Sequence, residues 1–193
     1  TSRPECPRHF SHSDTSQPRV GSILALADRV SHPARLSPSS YVGRAPIFLT
    51  ICTRLRQRYF EDRDTATFVR DEILSLACLH RVDVLVYCLM PDHLHALVSG
   101  KETDSDLPRL VHAIKQRTSS RFKQTHGAPL WQPSFFDRTL RPDEDVRRVM
   151  HYIIMNPVRA GLVRELDDYP LWGSSVLTRT AMLDAIGEVV SWS

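Results

Sequence analysis

Cysteine is scarce in this sequence and has no paired spacing. Cys6, Cys52, Cys78 and Cys88 form no CxxC and no disulfide framework, so a reducing cytosol is the expected setting. Cys52, Cys78 and Cys88 fall in apolar runs and read as small core residues. Lysine is scarcer still: of 25 Lys and Arg, only Lys101, Lys115 and Lys123 are Lys. Arginine offers a planar fork suited to phosphates and base edges, although an Arg-favouring codon usage gives the same bias. No apolar run approaches the roughly 18 residues of a membrane span. Nothing among the first residues resembles a signal peptide, and there is no internal repeat.

What remains is a chain of 193 residues, 41% hydrophobic, with a formal charge of +3. That is enough apolar material for one compact domain plus extensions. The charge is too small to be a nucleic-acid signature by itself. Residues 1–40 stand apart, with five prolines, nine serines and three histidines. Such a segment buries too little apolar surface to offset its ordering entropy and is expected to be a flexible extension. In it, His9 and His12 read as solvated side chains. A folded domain is expected over residues 41–175, followed by a C-terminal tail with a weak helix over residues 176–193.

Within the domain, residues 46–53 are β-branched and aromatic and predict a strand. Arg54 to Arg58 form a basic loop. Residues 64–81 carry Phe68, Val69, Ile73, Leu76, Ala77 and Leu79 at helical spacing. A hairpin follows, Val82–Met90 and His93–Ser99, around Pro91-Asp92. Leu107 to Gln124 is a second amphipathic helix, with Lys115, Arg117, Arg121 and Lys123 on its polar side. A short strand is expected near residues 136–140. A third helix is expected over residues 144–155, started by Pro142 and Asp143, with Val146, Val149, Met150 and Ile153 as its core stripe. Pro157 limits it, because the residue before a proline is pushed away from helical angles. This order predicts an α+β sandwich, an antiparallel sheet carrying helices on one face.

The most informative segment is the hairpin's His93-Leu94-His95. Strand side chains alternate faces, so the two imidazoles project together and Leu94 points away. In the third helix, Tyr152 and Asn156 share a face at i, i+4, and Arg148 lies a turn earlier. The core stripe is rotated from that face, which makes Tyr152 an unexpected core residue. If this helix crosses the face bearing His93 and His95, two imidazoles and the Asn156 amide oxygen converge beside a tyrosine. Mixed nitrogen and oxygen donors suit Mn²⁺ or Mg²⁺. Tetrahedral zinc lacks soft ligands, since there is no HExxH and Cys88 is expected to point to the wrong side. Tyrosine is a weak nucleophile near its ordinary pKa of about 10, so covalent use of it requires a nearby cation. Taken separately, a His-x-His, a helical tyrosine and an Asn-Pro are all ordinary structural features.

Four blocks combine them. They are residues 87–95 (YCLMPDHLH), 130–132 (LWQ), 135–141 (FFDRTLR) and 152–163 (YIIMNPVRAGLV), with a weaker one at Asp168-Tyr169-Pro170. Over residues 41–175 the chain resembles the single-tyrosine HUH transposases, and within them the REP-associated tyrosine transposase branch of bacterial chromosomes. The resemblance implies a ferredoxin-like core, His93 and His95 as metal ligands, Tyr152 as nucleophile and Asn156 as the third, polar ligand. It also implies a single-stranded DNA hairpin as substrate, cleaved and rejoined through a 5′-phosphotyrosine with Mg²⁺ or Mn²⁺. Arg54, Arg56, Arg58, Lys115, Arg117 and Arg121 are candidates for DNA backbone contacts. Trp131 could stack on a base but fits the core better. A bacterial cytoplasmic, nucleoid-associated protein is expected, as monomer or homodimer. The rival readings are a non-catalytic DNA- or RNA-hairpin-binding module, a phosphodiesterase that uses water, and a replication-type nickase.

Overall fold

The structure, a computed structural model, describes residues 44–141 and 144–190. The expected extension over residues 1–40, with His9 and His12, and the expected helix start at Pro142 and Asp143 lie outside the described residues. The elements are β1 (Ile47–Cys52), α1 (Arg63–Leu79), β2 (Val82–Met90), β3 (His93–Gly100), α2 (Leu107–His126), β4 (Phe136–Thr139), α3 (Val146–Ile154), α4 (Asn156–Arg159), β5 (Trp172–Gly173) and α5 (Arg179–Val190).

Local chemistry sets the helix ends. Asp62 caps α1, accepting from the Thr65 backbone N at 3.0 Å and from Thr65 Oγ1 at 2.6 Å. Asp106 and Asp145 cap α2 and α3 in the same way, satisfying amides that have no partner inside the helix. Gly127 ends α2 with φ 68°, the left-handed position that favours glycine.

The first six elements give a βαββαβ order, and the sheet runs β4-β1-β3-β2-β5. Every pairing is antiparallel. This is the ferredoxin-like α+β sandwich with one short edge strand added. β3 is central, flanked by β1 and β2. Register puts Phe48, Thr50 and Cys52 beside Leu97, His95 and His93 on one face. Ile47, Leu49 and Ile51 lie with Val98, Ala96 and Leu94 on the other.

Helices cover both faces, and here the one-face expectation is corrected. α1 packs on α2 and on β2, and its Arg70 acts on Tyr87, which lies opposite Ala96 on the face away from the histidines. α3 crosses the histidine face, where Tyr152 meets the His95 ring. The reason is that both faces are apolar: Phe48 and Leu97 on one and Ile51 and Leu94 on the other are 0 to 1% exposed. A sheet with two apolar faces needs two covering layers. α5 packs on α3 and buries Met182 and Ile186.

Trp131 is a core residue. Its Nε1 donates to Thr118 Oγ1 at 2.7 Å and its ring lies 5.4 Å from Phe60. Cys88 is buried, Cys52 half-buried and Cys78 exposed, so Cys78 is not the core residue its apolar run suggests.

The loop after β1 contains consecutive residues at positive φ, Leu55 at 54° and Arg56 at 56°. A left-handed conformation costs an L-residue about 1–2 kcal/mol, and Leu55 is 63% exposed, so its side chain recovers little. Glycine escapes that strain but costs about 0.5–1 kcal/mol of chain entropy. Leu55→Gly is therefore expected to be neutral or stabilising by up to about 1 kcal/mol, read from the midpoint of urea unfolding. A clear destabilisation would show that the Leu55 side chain contributes contacts despite its exposure.

Candidate active site

The hairpin turn Pro91-Asp92 is tied to the loop that follows β1. Thr53 donates to the Asp92 carbonyl twice, from its backbone N and from Oγ1, each at 2.9 Å. The Phe60 backbone N donates to the Pro91 carbonyl at 2.9 Å. The turn is therefore fixed where β3 begins, and the first residue of β3 is His93.

Both histidines are held from behind. His93 Nδ1 lies 2.6 Å from Asp92 Oδ1. An ionised carboxylate only accepts, so this nitrogen carries the proton and Nε2 presents a lone pair. His95 Nδ1 lies 2.9 Å from Thr50 Oγ1 on β1, and the His95 ring rests on Phe48 at 5.5 Å. The two Nε2 atoms point at each other, 3.0 Å apart. At this distance the two nitrogens share either a proton, as in an ordinary N–H···N hydrogen bond, or a metal ion. Two donors on adjacent octahedral positions, each about 2.1 Å from a cation, lie about 3.0 Å apart. The donor set therefore fits a divalent ion, and the backing of each imidazole by a second polar group is the usual way such ligands are oriented.

Burial, then the repulsion that a protonated His93 would exert and that of Arg56, hold the His95 imidazole well below its ordinary value of 6.5, which keeps it neutral. Burial raises the Asp92 carboxyl, but the His93 hydrogen bond, the His93 charge and Arg56 together hold it below the usual carboxylate range. His151 is also lowered, by burial and by Arg159. In the unfolded chain both histidines take up protons near 6.5. Below that pH the unfolded state binds protons that the folded state refuses, so stability falls; above it neither contributes a slope. The thermal midpoint is expected to be level from pH 7 to 8 and to drop between about pH 6.5 and 5. His151→Gln should flatten part of the drop, and an unchanged profile in that variant would remove His151 from the account.

Tyr152 stands over this pair. Its ring centroid is 6.5 Å from that of His95, and the Arg159 guanidinium of α4 lies over the Tyr152 ring at 4.8 Å. At 5% exposure Tyr152 is buried, which corrects its placement away from the core. α3 lies between the sheet and α5, so more of its circumference is covered than one apolar stripe implies. Arg148 on the same helix is exposed.

Asn156 stands just past the end of α3. Its amide donates to the carbonyls of Tyr152 at 2.9 Å and Ile153 at 3.2 Å, closing the end of α3 where Pro157 redirects the chain. Among the described residues, no hydrogen bond joins it to either histidine, and its Oδ1 is left to accept. Cys88 differs from expectation. It pairs with His95 across the hairpin, and directly opposed residues share a face, so it points to the histidine side. Even so, no cluster of three or more His, Cys, Asp or Glu suited to a metal occurs among the described residues.

The candidate DNA contacts divide. Arg54 and Arg58 are exposed, and Arg58 pairs with Glu61. Arg56 pairs with Asp92. Lys115 donates to the carbonyls of Gln132, Pro133 and Ser134, clamping the loop before β4. Arg117 pairs with Glu72, and Arg121 covers Phe68 at 4.1 Å. Sequence reasoning missed Thr50, Asp92 and Arg159. Asp92, which directly precedes His93, and Arg159 both stand in matching blocks, whereas Thr50 carried no signal.

No helix among the described residues is long and apolar enough to cross a membrane. Residues 42–156 match the family model described as "Transposase IS200 like". The REP-associated tyrosine transposase of Escherichia coli (strain K12) is 28% identical over 130 residues, covering 65% of this chain and 75% of that protein. A solved REP-associated tyrosine transposase bound to a REP hairpin superposes with a TM-score of 0.60 at 23% identity, covering 74% of this chain and 82% of the other. That similarity is one of fold.

Proposed function

This chain belongs to the IS200-like transposase family, and we propose that it cuts and rejoins single-stranded DNA beside folded hairpins, with Tyr152 as nucleophile. The observation that carries the reading is the convergence of the His93 and His95 Nε2 atoms at 3.0 Å, with the Tyr152 ring beside His95. The phenolic oxygen of Tyr152 attacks a backbone phosphorus. The new bond joins that oxygen to phosphorus, and the bond from phosphorus to the 3′ oxygen breaks. The products are a 5′-phosphotyrosine and, once protonated, a free 3′-hydroxyl. The number of phosphodiester bonds is unchanged, so attack by another 3′-hydroxyl reverses the step without ATP.

His93 and His95 would hold Mg²⁺ or Mn²⁺, with Asn156 Oδ1 as a candidate further ligand. Such an ion supplies Lewis acidity at the scissile phosphate and helps align the displacement. Asp92 and Thr50 keep both imidazoles turned toward it. The exposed guanidinium of Arg159 lies beside the ring, placed to offset charge as it builds on the phosphate. Arg54 and Arg58 are the basic residues best placed for DNA backbone contacts, with Arg117 and Arg121 after them. Hairpin DNA is the proposed partner because a relative of the same fold is bound to one. The expected setting is the bacterial nucleoid, as monomer or homodimer.

The test is a covalent-adduct gel. The protein is incubated with labelled single-stranded hairpins from the flanks of its own gene, with Mn²⁺ or Mg²⁺. A denaturant-resistant shifted band is expected. Hairpin binding without that band, under either metal, would replace this reading with the non-catalytic binding module.

A further inference from the structure

We infer that Arg56 is a positioning residue of the metal centre rather than a DNA contact, acting through Asp92 to aim His93. The inference deepens the proposed function and rests on its metal reading of the histidine pair. Arg56 Nε lies 3.1 Å from Asp92 Oδ2, while the other oxygen of that carboxylate, Oδ1, holds His93 Nδ1 at 2.6 Å. The second arm of the guanidinium, Nη1, donates to Cys52 Sγ at 3.0 Å, and Cys52 is the cross-strand partner of His93. One planar group thus braces both the carboxylate behind His93 and the strand position opposite it.

The backbone around Arg56 points the same way. Leu55 and Arg56 both stand at positive φ, a conformation that bulky residues keep only where the surroundings determine it. Those surroundings are the bonds from Thr53 and Phe60 to the hairpin turn. The strained turn brings the Arg56 side chain back onto Asp92. Exposed arginines that contact phosphate need no such arrangement, and the neighbouring Arg54 and Arg58 face solvent. Lysine cannot substitute, because a single ammonium cannot span carboxylate and thiol in one plane.

The experiment measures Mn²⁺ binding by titration calorimetry and electron paramagnetic resonance, without DNA, for the full chain and for Arg56→Ala, Arg56→Lys and Asp92→Asn. The salt dependence of hairpin binding is measured in parallel. Loss of a group behind a metal ligand typically weakens affinity about 10- to 100-fold. Asp92→Asn is expected within that range and Arg56→Ala near its lower end, with Arg56→Lys failing to restore binding. The salt slope of hairpin binding should not change. If Arg56→Ala does not fold, Arg56→Lys carries the comparison. Unaltered Mn²⁺ affinity in Arg56→Ala, with a salt slope shallower by about one, would make Arg56 a phosphate contact and overturn the inference alone. Full recovery in Arg56→Lys would overturn it too, by showing that charge without the fork suffices. Absence of Mn²⁺ binding in the unaltered protein would overturn both this inference and the metal reading beneath it.

Discussion

Tyr152→Phe is expected to abolish the covalent adduct while leaving the fold and hairpin binding intact. The substitution removes one oxygen and keeps the ring, so the contacts to His95 and Arg159 persist. Because Tyr152 is 5% exposed, a truncation to alanine would open a cavity and confuse lost chemistry with lost structure. Phenylalanine separates them. Loss of a covalent nucleophile typically costs about 10⁴-fold or more when nothing replaces it, which places the adduct below detection on a gel. The water-using phosphodiesterase makes the opposite forecast, since strand cleavage would continue in Tyr152→Phe. Cleavage at an undiminished rate would therefore remove the tyrosine mechanism and retain the metal site.

The second large effect is expected from the histidines, and the two should differ in an informative way. His93→Ala and His95→Ala should each lower metal-dependent adduct formation about 10³-fold, because a divalent ion supplies several kcal/mol at the phosphate. Their effects on stability should diverge. His95 is 5% exposed, supports Phe48 and satisfies Thr50, so its truncation leaves a cavity and a buried hydroxyl without its partner. That costs about 2–4 kcal/mol. The His93 side chain is 13% exposed and bonds a carboxylate that also has Arg56, so the cost should be less than half as large. Chemical denaturation of both variants beside the adduct assay checks both forecasts. Equal stability losses would show that the site is supported differently from the contacts described above.

Much of this was legible in the sequence, and the exceptions have physical causes. The hairpin and its paired histidines followed from alternation around Pro91-Asp92, and the helices from their apolar spacing. β5 was missed because Trp172-Gly173 is too short to show a period; it exists because Trp172 is buried beside Cys88. The facing of Cys88 was readable, since residues equidistant from a two-residue turn oppose each other, and it was misassigned. The burial of Tyr152 was not readable, because a helical stripe shows which side is most apolar and not how many layers cover the rest. Arg56 read as one of several loop arginines. Its pairing with Asp92 and its positive backbone angle separate it from Arg54 and Arg58, and no residue type at positions 55 and 56 announces that angle. The turn of Asn156 onto α3 followed from Pro157, which was visible, but the direction of the turn was not.

The strand order has one more consequence. β3 carries both histidines and is hydrogen-bonded along both edges, to β1 and to β2, in the middle of a sheet covered on each face. Amides in such a strand exchange with solvent only when the whole cooperative unit opens. The histidine pair should therefore persist until global unfolding and vanish with it, without a partly frayed stage. A variant that weakens the sheet should yield fewer molecules that each work at full rate, rather than a full complement of slower ones. Titrating active sites at increasing urea would reveal that as a falling count with an unchanged turnover per site.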